Sequence, residues 1–242
     1  MSIKAVMFDF DGTLSAPENS NIWNDFWDIL GYERTPGSEY ARLGSLFFGG
    51  EIDYQTWCDL TCEKFMERGF SRSHLMECAN RIKMLDNIGD AFDKFIENGM
   101  KIGICSGNCT EVIVDALKDD YSKVDVIQAN ELIFDDNDKL TEIYARFDCF
   151  EGKAKFIESF IKENDLKPQE VLFVGNGAND EWAYLSGVKT LCINPEPKVH
   201  KDDRTIWNGL IENTDSLLSV VDYVEQENLK ESQNESDCMD CE

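Results

Sequence analysis

Five short apolar runs, each followed by residues of helical periodicity, limit what this chain can fold into. They are KAVMFDF from Lys4, KIGICS from Lys101, VDVIQA from Val124, VLFVGN from Val171 and KTLCIN from Lys189. Most are continuous rather than alternating, the pattern of strands buried on both faces of a parallel sheet. Between them, Val112, Ile113, Ala116 and Leu117 share one helical face, as do Phe156, Ile157, Phe160 and Ile161. Strands alternating with helices predict an α/β fold with a doubly wound, Rossmann-like parallel sheet. The segment from Glu131 to Ala145 differs, because its Asp-Asp-Asn-Asp centre is turn chemistry and predicts a hairpin.

No strand pattern occurs between the first and second runs. Instead Ile22, Trp23, Phe26, Trp27 and Leu30 form one helical stripe, Tyr54, Trp57, Cys58, Thr61 and Phe65 a second, and Leu75, Ala79 and Ile82 a third. These stripes predict a small helical-bundle cap over residues 15–86, inserted after the first strand and packed through its aromatic residues. The α/β core is then expected over 1–14 and 87–224. An acid-rich tail, 225–242, is expected to be disordered. Its Cys238 and Cys241 have no second cysteine pair nearby, so a solvated tail is the simpler reading than a metal site.

Composition narrows the function. The 242 residues carry 23 basic and 48 acidic side chains, a net charge of −25. That field repels nucleic acid and anionic membrane surfaces, so neither is expected as a partner. No run approaches the ~18 apolar residues of a transmembrane helix. The nine cysteines are odd in number and scattered through strands and helices, which argues for a reducing, cytoplasmic setting.

Ligands of open α/β sheets bind at the carboxyl ends of the strands. The first run delivers Asp9 and Asp11 there, acids that are costly to bury unless something pairs with them. The second delivers Ser106, Gly107 and Asn108, read as a hydroxyl and a tight turn before a helix near Thr110. The fourth delivers GNGAND, Gly175 to Asp180, and Lys153 opens the helix before it. Each part suits phosphoryl transfer. A carboxylate attacks phosphorus to form an acyl phosphate. Asp9, Asp11, Asn176 and Asp180 offer the hard oxygen ligands that Mg²⁺ takes. Ser106 and nearby N–H groups, with a helix N-terminus behind them, bind phosphoryl oxygens, and Lys153 offsets the attacking charge.

These residues resemble the four motifs of the haloacid dehalogenase superfamily, most closely its phosphoserine-phosphatase-like branch. The resemblance runs from Ile3 to about Asn194: DFDGT from Asp9 is similar to the first motif, ICSGN from Ile104 to the second, Lys153 to the third and GNGAND to the fourth. It implies a Mg²⁺-dependent phosphatase acting on a small phosphorylated metabolite. Asp9 would be the nucleophile, Asp11 the acid-base, and Ser106 and Lys153 the holders of the phosphoryl group. Gly107, Asn108 and Asn179 would meet the substrate, Asp180 would hold metal-bound water, and Glu18 matches a glutamate that contacts a substrate amine. Two departures stand out. The fourth motif usually reads Gly-Asp-Gly, and here position 176 is asparagine. The stretch GEIDYQTWCDLTCEKF lacks the arginine that meets the carboxylate of phosphoserine, which argues against that substrate.

Other readings fit less well. An EF-hand loop from Asp9 fails at Thr13, Leu14 and Ser20. Cys62 and Arg68 have the spacing of cysteine phosphatases, but the residues between lack glycine and carry acids. No Gly-x-Ser-x-Gly elbow is present. A phosphotransferase or mutase of the same fold, or a binder of phosphorylated metabolites weakened at Asn176, remain the alternatives.

Overall fold

The computed structural model describes residues 1–19, 21–146 and 151–239. Its frame is a seven-stranded sheet in the order β4-β3-β2-β1-β5-β6-β7, with β1 Ala5–Phe8, β2 Lys101–Cys109, β3 Val126–Phe134, β4 Leu140–Tyr144, β5 Val171–Gly175, β6 Lys189–Ile193 and β7 Gly209–Ile211. All neighbours are parallel except β3 and β4, which form the expected antiparallel hairpin. In its turn, the Asp135 carboxylate accepts the N–H groups of Asn137 and Lys139 at 2.9 and 2.8 Å, and Asp138 takes a left-handed φ of 58°. The three-residue β7 escaped the sequence reading because so short a run carries no periodicity.

The continuous apolar runs have the burial they require. Along β1, Val6 and Phe8 pack to one side, with α5 Ile88–Glu97, α6 Thr110–Leu117 and α8 Leu218–Met239. Ala5 and Met7 pack to the other, with α7 Glu151–Glu163. Side chains alternate across a strand, so a strand with helices on both faces is apolar throughout.

Four helices, α1 Ile22–Ile29, α2 Glu39–Phe48, α3 Tyr54–Glu67 and α4 Arg72–Ala79, lie between β1 and α5. The aromatic stripes meet in one cluster: Phe26 and Trp27 both contact Phe65 edge-on, with ring centroids 6.2 and 5.1 Å apart. Leu132, Leu140 and Ile143 of the hairpin complete that cluster. The chain leaves β1 and returns to α5 through an antiparallel bridge of Ser15 with Met84, and Leu85 donates to the Leu14 carbonyl at 2.9 Å.

Two sequence expectations are corrected. The stretch from 225, expected to be disordered, continues α8 to Met239. Val220, Val221 and Val224 bury the start of this helix, and Asn228 and Glu231 tie its middle to Ile3 and the N-terminal amine at 2.6 and 2.7 Å. The side chains of Cys238 and Cys241 lie outside the described residues. Second, Ser106, Gly107 and Asn108 form no turn; β2 runs on through Cys109, and an irregularity in its register with β3 falls between Cys105 and Cys109. Such a bulge re-aims side chains at the end of a strand. Among the described residues, no helix is long and apolar enough to cross a membrane.

Candidate active site

β1 sits between β2 and β5 with the three strands level: Phe8 pairs with Ile104 on one side and Val174 on the other. The chain winds outward from β1 through β2 and β3, then from β5 through β6 and β7, so the β1–β5 junction is the switch point where α/β sheets open a crevice. Asp9 follows β1 there, held by its N–H on the Val174 carbonyl at 2.9 Å. A tight loop comes next, in which the Phe10 carbonyl accepts the N–H groups of Thr13, Leu14 and Ser15. Gly12 takes a φ of +71°, and a Cβ there would stand 2.2 Å from Asn176 Nδ2. Only glycine lets the first loop lie so close to the fourth-motif loop.

Lys153 is fully buried in the first turn of α7. Its Nζ lies 3.1 Å from Asp9 Oδ1 and also bonds Asp180 Oδ1. Burial alone would lower the lysine pKa; Asp180 and Asp9 override it and keep the ammonium charged. Asp180 Oδ2 accepts the N–H groups of Asn176 and Gly177 at 2.9 and 2.8 Å, so this carboxylate braces the glycine loop and the lysine together. Gly175 is needed for that approach, since a Cβ there would stand 2.5 Å from Asp180 Cγ.

The paired aspartates differ in environment. Burial, then the charge of Asp180, lift Asp9 to about 6 against the pull of Lys153. Burial and the neighbouring Asp9 lift Asp11 to about 8, partly offset by Asn108, whose amide donates to Asp11 Oδ1 at 2.8 Å. A group near neutrality is what proton transfer needs. Asp9 Oδ1 is buried against Lys153 Nζ at 3.1 Å, and among the described residues Lys153 is the cation that pairs with both Asp9 and Asp180. Two buried carboxylates that share one ammonium, with Asp11 and the Asn176 amide lining the same cavity as Asp9, leave an excess of negative charge and hard oxygen donors that fit a divalent cation such as Mg²⁺.

Above the sheet end lies a cavity of about 530 Å³. Asp9, Asp11, Ser106, Gly107, Asn176 and Asn179 line it, while Lys153, Asp180 and Asn108 lie outside its lining. The structure does not bring Glu18 into it. Glu18 is exposed and paired with the exposed Lys83 at 3.3 Å, an outward salt bridge. Asn108, expected to meet substrate, instead bonds Asp11. The remaining wall was not foreseen: Trp23, Phe47, Tyr54, Trp57, Trp182 and Glu196 all face the cavity. Sequence periodicity marked Trp23, Tyr54 and Trp57 only as helix core. Trp23 Nε1 and Asn130 Nδ2 converge on the Gly107 carbonyl at 3.0 and 2.7 Å, tying α1 and β3 to the second motif. No local signal in the sequence announces that contact.

The family model of haloacid dehalogenase-like hydrolases matches residues 6–181, a span holding all four motifs. The chain belongs to this family. It is similar to the phosphoserine phosphatase of Archaeoglobus fulgidus, 26% identical over 220 residues, which covers 90% of this chain but 60% of that protein. The phosphoserine phosphatase of Lactococcus lactis subsp. lactis is 24% identical over 232 residues, covering 91% of this chain and 95% of its own length. In fold, the chain is similar to a substrate-bound phosphoserine phosphatase complex, with a TM-score of 0.69 at 18% identity over 92% of this chain and 99% of the other. A probable phosphoserine phosphatase from Vibrio cholerae gives a TM-score of 0.70 at 19% identity, over 95% of this chain and 66% of the other.

Proposed function

We propose that this chain hydrolyses small phosphomonoesters, with the helical segment 15–86 acting as a cap over the site. The observation that carries this reading is the convergence of Asp9, Asp11, Ser106, Lys153 and Asp180 on the switch point of the sheet, with Asp9 and Asp11 lifted to about 6 and about 8. The curated relatives are phosphatases by name, which supports the same reaction class.

Asp9 is the nucleophile. Its carboxylate oxygen forms a bond to phosphorus as the bond from phosphorus to the leaving oxygen breaks. Asp11, protonated near neutrality, gives its proton to that oxygen, so the alcohol leaves neutral. Water then attacks phosphorus of the aspartyl phosphate, Asp11 takes the proton, and Asp9 is released as carboxylate. Asn108 holds Asp11 by its amide. Ser106 and the loop N–H groups receive phosphoryl oxygens, and Lys153 balances the charge that Asp9 carries into the reaction.

Asp9, the Asp11 main chain and Asn176 would hold Mg²⁺, with Asp180 braced behind them. When bound, the ion neutralises charge on the phosphoryl group and draws it toward Asp9. Asn176 supplies an oxygen without a charge, so this site holds the ion more weakly than an all-carboxylate one. The test is hydrolysis of a chromogenic aryl phosphate by the purified chain. Activity that depends on Mg²⁺ and vanishes in Asp9→Asn supports the reading; activity that survives in Asp9→Asn removes it.

A further inference from the structure

The walls of the cavity restrict the leaving group, on the phosphatase reading above. Its charged lining side chains are Asp9, Asp11 and Glu196, and among the described residues no lysine or arginine lines it. A carboxylate on the leaving group would find no cation there. Trp23 of α1 and Tyr54 and Trp57 of α3 form a continuous aromatic wall. The Tyr54 and Trp57 rings stack at 5.7 Å with 8° between planes, and Trp23 meets Trp57 edge-on at 5.3 Å. Ring faces carry negative potential and attract cations, above all alkylammonium groups that need no hydrogen bond.

Glu196 is the second, independent observation. It is half-buried, and its N–H donates to the Asn176 carbonyl at 2.9 Å. Its Oε2 lies 3.5 Å from the point where a Cβ on Gly177 would stand, which sets the carboxylate beside the fourth-motif loop. Among the described residues, no basic side chain comes within ion-pair distance of it, and Lys198 acts from farther away. A half-buried carboxylate without an ion pair is partly desolvated, and a cation on the ligand offsets that cost. Asp180 acts on Glu196 as it does on Asp9 and Asp11, and Glu196 is not among the main charges acting on that pair.

We propose that the substrate of this site is a phosphomonoester of an amino alcohol whose nitrogen is a substituted ammonium and which bears no carboxylate. Glu196 and the wall of Trp23, Tyr54 and Trp57 receive its positive charge, and Glu196 is a specificity residue.

The test uses the full chain with Mg²⁺ and four esters: choline phosphate, ethanolamine phosphate, O-phosphoserine and glycerol phosphate. Choline phosphate is expected to exceed phosphoserine and glycerol phosphate in kcat/KM by about tenfold or more, with ethanolamine phosphate between. Glu196→Gln is expected to raise KM for choline phosphate about tenfold more than for glycerol phosphate, with kcat little changed. Trp57→Leu is expected to act in the same direction. Preference for phosphoserine or glycerol phosphate, or an equal effect of Glu196→Gln on every ester, overturns the proposal while leaving the phosphatase reading intact. Calorimetry of the same four esters on Asp9→Asn separates the two. Selective binding of choline phosphate without turnover by the unaltered chain sinks the phosphatase reading and keeps the ligand class, and unselective binding overturns the ligand class.

Discussion

Replacing Lys153 by methionine removes one cation from between two buried carboxylates and keeps the volume of the side chain. Lys153 and Asp180 are fully buried and Asp9 is 4% exposed, so water cannot screen what is left. Breaking a buried ion pair from one side costs about 3–5 kcal/mol, and here two anions lose the same partner. At ~2–4 °C per kcal/mol for a chain of this size, Tm should fall by on the order of 10 °C. The assay is urea denaturation and thermal melting of metal-free protein, at alkaline and mildly acidic pH. The loss should be greatest at alkaline pH. As pH falls, Asp9, whose pKa burial raises, takes a proton in the folded state before the unfolded chain does, which restores stability. Adding Asp180→Asn should recover a large part of the loss, because one orphaned anion is then gone. A loss below ~1 kcal/mol that does not vary with pH would mean that Lys153 does not balance the two buried carboxylates.

Asp11→Asn should lower turnover by at least ~10²-fold with the fold intact, measured on an aryl phosphate, and rates like the unaltered chain would remove its acid-base role. In metal-free protein, Asp9 at about 6 and Asp11 at about 8 lie above unfolded carboxylates. Their stabilising contribution is therefore complete below the unfolded pKa and lost as pH rises through about 6 and then about 8. Melting across that window should show a falling Tm, and Asp11→Asn should flatten its upper half. Asn176→Asp should tighten Mg²⁺ binding by about tenfold in calorimetry, through the added ligand charge. Gly12→Ala should cost more than the ~1–2 kcal/mol of a left-handed alanine, because its Cβ would also push Asn176 aside; urea unfolding measures it.

The sheet was legible because buried parallel strands leave continuous apolar runs, and the candidate site because those runs end in residues suited to phosphoryl transfer. Asp9, Asp11 and Ser106 could be placed from strand ends, and Lys153 from the start of the helix before the fourth run. The cavity wall could not. Trp23, Tyr54 and Trp57 sit on helical stripes whose period says only that one face is buried, and a residue facing a cavity has the same period as one facing a core. Glu196 lies beyond β6, far in sequence from the site it borders. Glu18 misled in the opposite sense: it lies close to Asp9 along the chain, yet its side chain turns outward to Lys83. Position α8 in place of a disordered tail reflects anchoring by Ile3 and the N-terminal amine, contacts across the whole length of the chain that no local pattern reveals.

On the proposed mechanism, Asp9 becomes phosphorylated during turnover. Rapid acid quench of the chain with Mg²⁺ and an aryl phosphate, followed by peptide mapping in a mass spectrometer, tests it directly. The expected result is a labile phosphoryl adduct on the peptide that carries Asp9, more abundant in Asp11→Asn and absent from Asp9→Asn. An adduct on another residue, or full turnover with none formed, would contradict it.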